Sequence, residues 1–147
     1  MNSQAAINSY NKVGLESSVI GADPHHLILM LFDGALLAIG NAKIRMQQND
    51  IPAKGKSISH AIRIIGEGLD ASLDKNIGGK LAQDLSSLYA YMLRRLVEAN
   101  ANNDVSALDE VAGLLTELKD AWASIKPAAP VATTRTQQNA APVYSMR

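Results

Sequence analysis

The stretch Asp23-Pro24-His25-His26-Leu27-Ile28-Leu29-Met30-Leu31-Phe32-Asp33-Gly34-Ala35-Leu36-Leu37-Ala38-Ile39 decides how this chain folds. Proline at the first helical position, after an aspartate able to cap, marks a helix start. Stepping 100° per residue puts Leu27, Ile28, Leu31, Phe32, Ala35, Ala38, Ile39, Ala42 and Met46 on one broad face. Met30, Leu37 and Ile44 fall on a second face, and Leu29 and Leu36 lie opposite the first. A surface helix of a globular protein needs one apolar stripe of about 100° or somewhat more. This helix carries a surplus, which another helix, another segment of the chain or a partner must cover.

Three further helical patterns follow. One starts near Pro52 and runs to about Asp74, with the stripe Ile58, Ile62, Ile65, Leu69 and Leu73. The next follows the Gly78-Gly79 break and runs to about Asn102, with Leu81, Leu85, Leu88, Met92 and Leu96. The last is capped by Asp104 and ends near Ile125; Leu108, Val111, Leu115, Leu118, Trp122 and Ile125 alternate steps of three and four. Such steps suit helices packed at shallow angles, and short connections make sequential helices antiparallel neighbours. The pattern predicts an all-α fold: an antiparallel up-down four-helix bundle over residues 23–126. A short N-terminal helix or arm over 1–22 precedes it. A disordered C-terminal tail over 127–147, broken by Pro127, Pro130 and Pro142, follows.

Composition narrows the function. Fourteen basic side chains balance fourteen acidic ones. Lys126, Arg135 and Arg147 lie in the last stretch, so residues 1–125 are mildly acidic. That balance argues against nucleic acid as a ligand. The absence of cysteine excludes disulfides, thiolate catalysis and cysteine-based zinc sites. The amino terminus lacks the features of a secretory signal, and the longest unbroken apolar run, Leu27 to Phe32, is too short to span a bilayer. These features predict a cytoplasmic protein without membrane insertion.

No catalytic set converges. His25 and His26 are adjacent and point about 100° apart on a helix, and no Glu-x-x-His pair occurs, so neither a metal nor another cofactor is expected. Asp33 sits inside the apolar run. It either faces solvent or forms a structural ion pair with Arg94 or Arg95. Glycines at 34, 40, 66 and 68 inside helices mark either close helix packing or a groove in which another segment approaches the backbone. Tyr89, Leu93 and Val97 add a second stripe beside Leu88, Met92 and Leu96. Surplus apolar surface is thus concentrated on the first and third helices, a hazard unless something covers it. An amphipathic segment laid in a groove is one solution.

Taken in order, several pieces resemble one family. They are Leu27-Ile-Leu-Met-Leu-Phe-Asp-Gly-Ala35 after an X-Pro start, Leu73-Asp74, Leu88-Tyr-x-Tyr-Met-x-Arg-Arg-Leu96 with Glu98-Ala-Asn100, and Asn103-Asp104. Together they resemble the flagellar export chaperone FliS family over about residues 7–125. The resemblance implies a non-enzymatic chaperone that binds the disordered carboxy-terminal segment of flagellin, prevents premature polymerisation and supports delivery to the flagellar type III export apparatus. It also implies that Tyr10, in Tyr10-x-x-Val13-x-x-Glu16-Ser17, caps the groove or engages an export gate protein. On this reading Ile28, Leu29, Phe32, Leu36, Tyr89, Leu93 and Val97 form the flagellin-binding groove, and Ile7 and Tyr10 compete for it or contact the export gate. The alternative is a weak homodimer, or larger homo-oligomer, through the same faces.

Overall fold

The computed structural model of the protein describes residues 23–125. Within them the chain is all helical, with four helices and no strand. Helix α1 spans Pro24–Gln47, α2 Ile51–Arg63, α3 Lys75–Asn102 and α4 Val105–Ser124. The expected arm over 1–22 and tail over 127–147 lie outside the described residues.

Each helix begins on an aspartate. Asp23, Asp50, Asp74 and Asp104 accept hydrogen bonds from backbone N–H groups of the first turn. These are the donors a helix start leaves without a partner. Asp50 accepts from the Ala53 N–H at 3.2 Å, and a proline follows at Pro52. Asp50→Ala is expected to cost about 1 kcal/mol. It should lower the urea midpoint without changing the slope of the transition, and Asp50→Asn should restore most of the loss.

Helix α2 does not stop at Arg63 but continues as a π-helical segment, Ile64–Asp70. The sequence reads 52–74 as one helix, and the changed ladder explains a residue that fits poorly there. Ile64 falls off the α-helical stripe, yet it is half-buried, and its Cδ1 lies 3.4 Å from where a Cβ on Gly34 would be. Gly68 gives a still closer approach: a Cβ there would meet Leu31 Cδ2 at 3.1 Å. At these positions glycine serves helix packing rather than an open groove. In α3, Gly79 has φ +56° and ψ −132°, so the glycine pair kinks the element and separates a first turn capped by Asp74 from the long regular helix that follows.

Contacts fix the arrangement. Helix α1 packs against α2, its π segment and α4, while α3 packs against α2, the same π segment and α4. The start of α1 meets the end of α4 at His25 and Trp122, and Lys43 of α1 reaches Asp109 near the start of α4. The start of α2 meets the end of α3 through Lys54 and Asn100. Among the described residues, α1 and α3 make no direct backbone approach. They stand diagonally across a core that includes Phe32, Ile39, Ile58, Ile65, Leu69, Tyr89, Met92, Leu96, Leu108 and Leu115.

Taken whole, α1 is long and apolar enough to cross a membrane by length and composition, a property the six-residue unbroken run does not display. Here α1 supplies six buried residues to the helical core, and its Asp33 and Lys43 form ion pairs with α4.

Candidate functional site

The two aromatic residues expected in the groove lie in the core. Phe32 is 3% exposed and Tyr89 is 4% exposed. Burial, reinforced by the charge of Asp70, pushes the Tyr89 phenol up to about 12. Ile28, Leu29, Leu36 and Leu93 are half-buried, and Val97 is 57% exposed. These residues do not line one groove. Ile28, Leu29 and Leu36 ride on α1, whereas Leu93 and Val97 ride on α3 at the diagonal corner. Leu93 packs beside Gly66 of the π segment. A helical wheel shows that a face is apolar, not which neighbour it meets. The apolar surface that remains open on α1 is the outer stripe with Leu37 and Ile44, two turns apart.

The expected pair of Asp33 with Arg94 or Arg95 is not formed. Asp33 Oδ1 accepts from Lys119 Nζ of α4 at 2.6 Å. The reason is positional: Asp33 lies on the edge of α1 that faces α4, and α3 is diagonal to it. The hydrogen bond from Lys119 to Asp33, and then the opposite charge, raise the Lys119 ammonium above its ordinary value. Arg95 instead joins α3 to α4. Its Nε donates to Glu110 Oε1 at 2.6 Å and its Nη1 to Glu98 Oε1 at 2.7 Å. The Tyr91 hydroxyl donates to the same Glu110 carboxylate. That bond, followed by the one from Arg95, holds the Glu110 carboxyl below the usual carboxylate range. Arg94 lies over the Tyr91 ring, 5.8 Å from its centroid.

Three features carry no clear signal in the sequence. The first is an open apolar end where the chain enters α3: Ile77 is 86% exposed, and Leu81, expected in the apolar stripe of this helix, is 68% exposed because it lies in the first turns beyond the reach of the core. The second is a clasp at the same end. The His25 and Trp122 rings stack at 5.2 Å, Trp122 Nε1 donates to the His25 carbonyl at 3.0 Å, and His25 Nε2 lies 2.7 Å from the Trp122 carbonyl. His25 reads from sequence as a surface imidazole; its partner lies 97 residues away, beyond any local pattern. The third is Lys54, 3% exposed, whose ammonium donates to the Asn100 carbonyl at 2.9 Å and Asn103 Oδ1 at 2.6 Å. Ile7 and Tyr10 lie outside the described residues.

Among the described residues, no three histidine, aspartate or glutamate side chains come together to hold a metal. Burial, then the nearby Arg63 charge, lowers the His60 imidazole below its ordinary value. Among the described residues, the surface offers apolar area at separate places: the outer stripe of α1, Val97 on α3, the Ile77–Leu81 end, and Ile51 and Ile125 at helix ends.

Comparison with known proteins identifies the family. Residues 6–129 match the family described as "Flagellar protein FliS". The flagellar secretion chaperone FliS of Salmonella typhimurium is 47% identical over 135 residues, covering 92% of this chain and 100% of that protein. The flagellar secretion chaperone FliSB of Pseudomonas aeruginosa is 46% identical over 125 residues, covering 85% and 98%. The Bacillus subtilis flagellar secretion chaperone FliS is 39% identical over 107 residues, covering 73% and 78%. With a family match over most of its length and relatives this similar, the chain belongs to the FliS family of flagellar secretion chaperones.

Proposed function

We propose that this chain is a non-enzymatic cytoplasmic chaperone that binds the carboxy-terminal segment of flagellin. Binding keeps the subunit from polymerising early and supports its delivery to the flagellar type III export apparatus. In this reading the four helices are an up-down antiparallel bundle, residues 1–22 are an arm, and residues 127–147 are a tail. Family membership names the process. The observation that carries the mode of binding is the separation of open apolar surface onto diagonal helices. A segment that covers both α1 and α3 has to pass around the body of the bundle, so an extended or horseshoe path suits the geometry better than one helix in one groove. The exposed Leu37 beside the half-buried Leu29 and Leu36 on α1, with Leu93 and Val97 on α3, supply contact area. Ile7 and Tyr10 cap the open apolar surface when flagellin is absent, or engage the export gate protein.

Calorimetric titration with the carboxy-terminal segment of the host's flagellin tests this. Saturable one-to-one binding with a strongly negative heat-capacity change is expected, because ordering the segment buries a large apolar interface. Val97→Asp and Leu37→Asp, both at exposed side chains, should each weaken binding at least about tenfold, or about 1.4 kcal/mol, while helicity is retained. Unchanged affinity in both variants would remove these residues from the interface. Absence of binding, with mass that rises with protein concentration, would favour the homo-oligomer instead.

A further inference from the structure

Helices α1 and α4 are pinned at two places, by Asp33–Lys119 at 2.6 Å and by Lys43–Asp109 at 2.9 Å. The pinning residues are ten apart on each helix, about 15 Å, so the two helices run antiparallel without slip. Midway between the pins, that register sets Gly40 of α1 opposite Ala112 and Gly113 of α4. A Cβ on either glycine would meet nothing within 4 Å. The seam is therefore shallow and open between its two pins. One wall is apolar, formed by the exposed Leu37 and Ile44 of α1. The other side is acidic: the exposed Glu117 of α4 lies between the pins, and the exposed Asp120 follows directly after the Lys119 pin. An occupant has to be apolar on one side and basic on the other.

The chain that follows α4 has that chemistry. Residues 126–147 contain Lys126, Arg135 and Arg147 and no acidic residue, and they carry Val131, Val143, Tyr144 and Met146. They leave the end of α4 at Ile125, whose backbone is already extended at φ −87° and ψ 126°. Pro127 prevents the helix from continuing. Twenty-two extended residues reach about 70 Å, against about 30 Å for the whole of α4, so the segment can turn back with slack. Two other pairings fit less well. The outer face of α3 presents the exposed Arg94, which repels a basic segment. A second copy would bring a body with ten basic and thirteen acidic residues over 23–125 against an acidic wall.

We propose that residues 127–147 fold back along α4 and lie in the α1–α4 seam as an intramolecular cover. Arg135 and Arg147 then face Glu117 and Asp120, and Val143 and Tyr144 lie against Leu37 and Ile44.

Because the chain has no cysteine, a Ser145→Cys variant takes a nitroxide label at one site. In the isotope-labelled full chain, the amides of Leu37, Gly40 and Gly113 should lose most of their intensity to the label. Raising the salt should restore them, since the screening length shrinks from about 10 Å at 0.1 M to about 3 Å at 1 M. The exposed pair Glu117→Lys and Asp120→Lys should restore them as well, with the rest of the amide spectrum unchanged. Loss of intensity confined to residues near Ile77 and Leu81, or no loss anywhere, would overturn the proposal. So would undiminished loss in the charge-reversed chain. The same loss in an equimolar mixture of nitroxide-bearing and isotope-labelled chains would also overturn it, by making the occupant a second copy. No flagellin is present in these samples, so the result stands apart from the proposed function.

Discussion

Phe32→Asp is expected to unfold the bundle. The ring is 3% exposed and belongs to the cluster that joins all four helices. Truncating a buried phenylalanine to alanine costs about 3–5 kcal/mol. A carboxylate in its place has no charge partner in an apolar cluster, so it must ionise at further cost or take up a proton. Domains of ordinary size are stable by about 5–15 kcal/mol in total. Tyr89→Asp is expected to behave in the same way, and there the nearby Asp70 adds like-charge repulsion to the burial. Far-ultraviolet circular dichroism and thermal melting should show lost helicity and no cooperative transition for either variant. A cooperative melt close to that of the parent would mean that this region of the core yields and lets the carboxylate reach water. Loss of partner binding by these variants would therefore say nothing about a binding surface, and Val97→Asp and Leu37→Asp, at exposed side chains, are the informative substitutions.

Lys54→Met should be the most damaging change at a polar side chain. The Lys54 ammonium is buried and donates to two neutral acceptors, the Asn100 carbonyl in the last turn of α3 and the Asn103 side chain. A cation at a helix C-terminus is stabilised by the carbonyls that end there. Asn103 sits at φ +51°, so its side chain also helps to hold the turn into α4. Methionine fills nearly the same space but donates nothing. The loss should be about 2–3 kcal/mol, since hydrogen bonds to a charged group contribute about 1.5–3 kcal/mol and a buried acceptor is left bare. At about 4–8 °C per kcal/mol for a domain near 100 residues, melting should fall by roughly 10 °C or more. Lys56→Met, two residues on and exposed, should change little. Equal melting temperatures for the two variants would show that the buried ammonium is not what ties α2 to the end of α3.

The helices were legible in the sequence because their signals are local. Asp23 and Asp104 read as caps, Pro24 and Pro52 mark the first two starts, and each core stripe repeats every three or four residues, whereas the caps at Asp50 and Asp74 emerged only in the structure. The π segment was not legible. Its departure from the α-helical ladder appears in the sequence only as Ile64 falling off a stripe that the structure nevertheless packs against α1. The candidate surface was legible only as composition. Sequence shows that α1 and α3 carry more apolar residues than one face needs, but the choice of neighbours is a tertiary property. With α1 against α2 and α4, Phe32 turns inward, Asp33 meets Lys119, and Leu37 and Ile44 turn out. With α3 on the far diagonal, Tyr89 turns inward and Val97 remains in solvent.

The clasp between His25 and Trp122 has a mechanical consequence. It brings the first turn of α1 against the last turn of α4, so the backbone from Asp23 to Ile125 is nearly a closed ring. Tension applied between the flanking segments enters at this one pole, across the helix axes. It peels the stacked rings apart first, then loads the Asp33–Lys119 pin, and reaches Lys43–Asp109 last. The contacts yield in sequence rather than together, as teeth of a zip do. Pulled along the helix axes from opposite poles, the same contacts would share the load in shear.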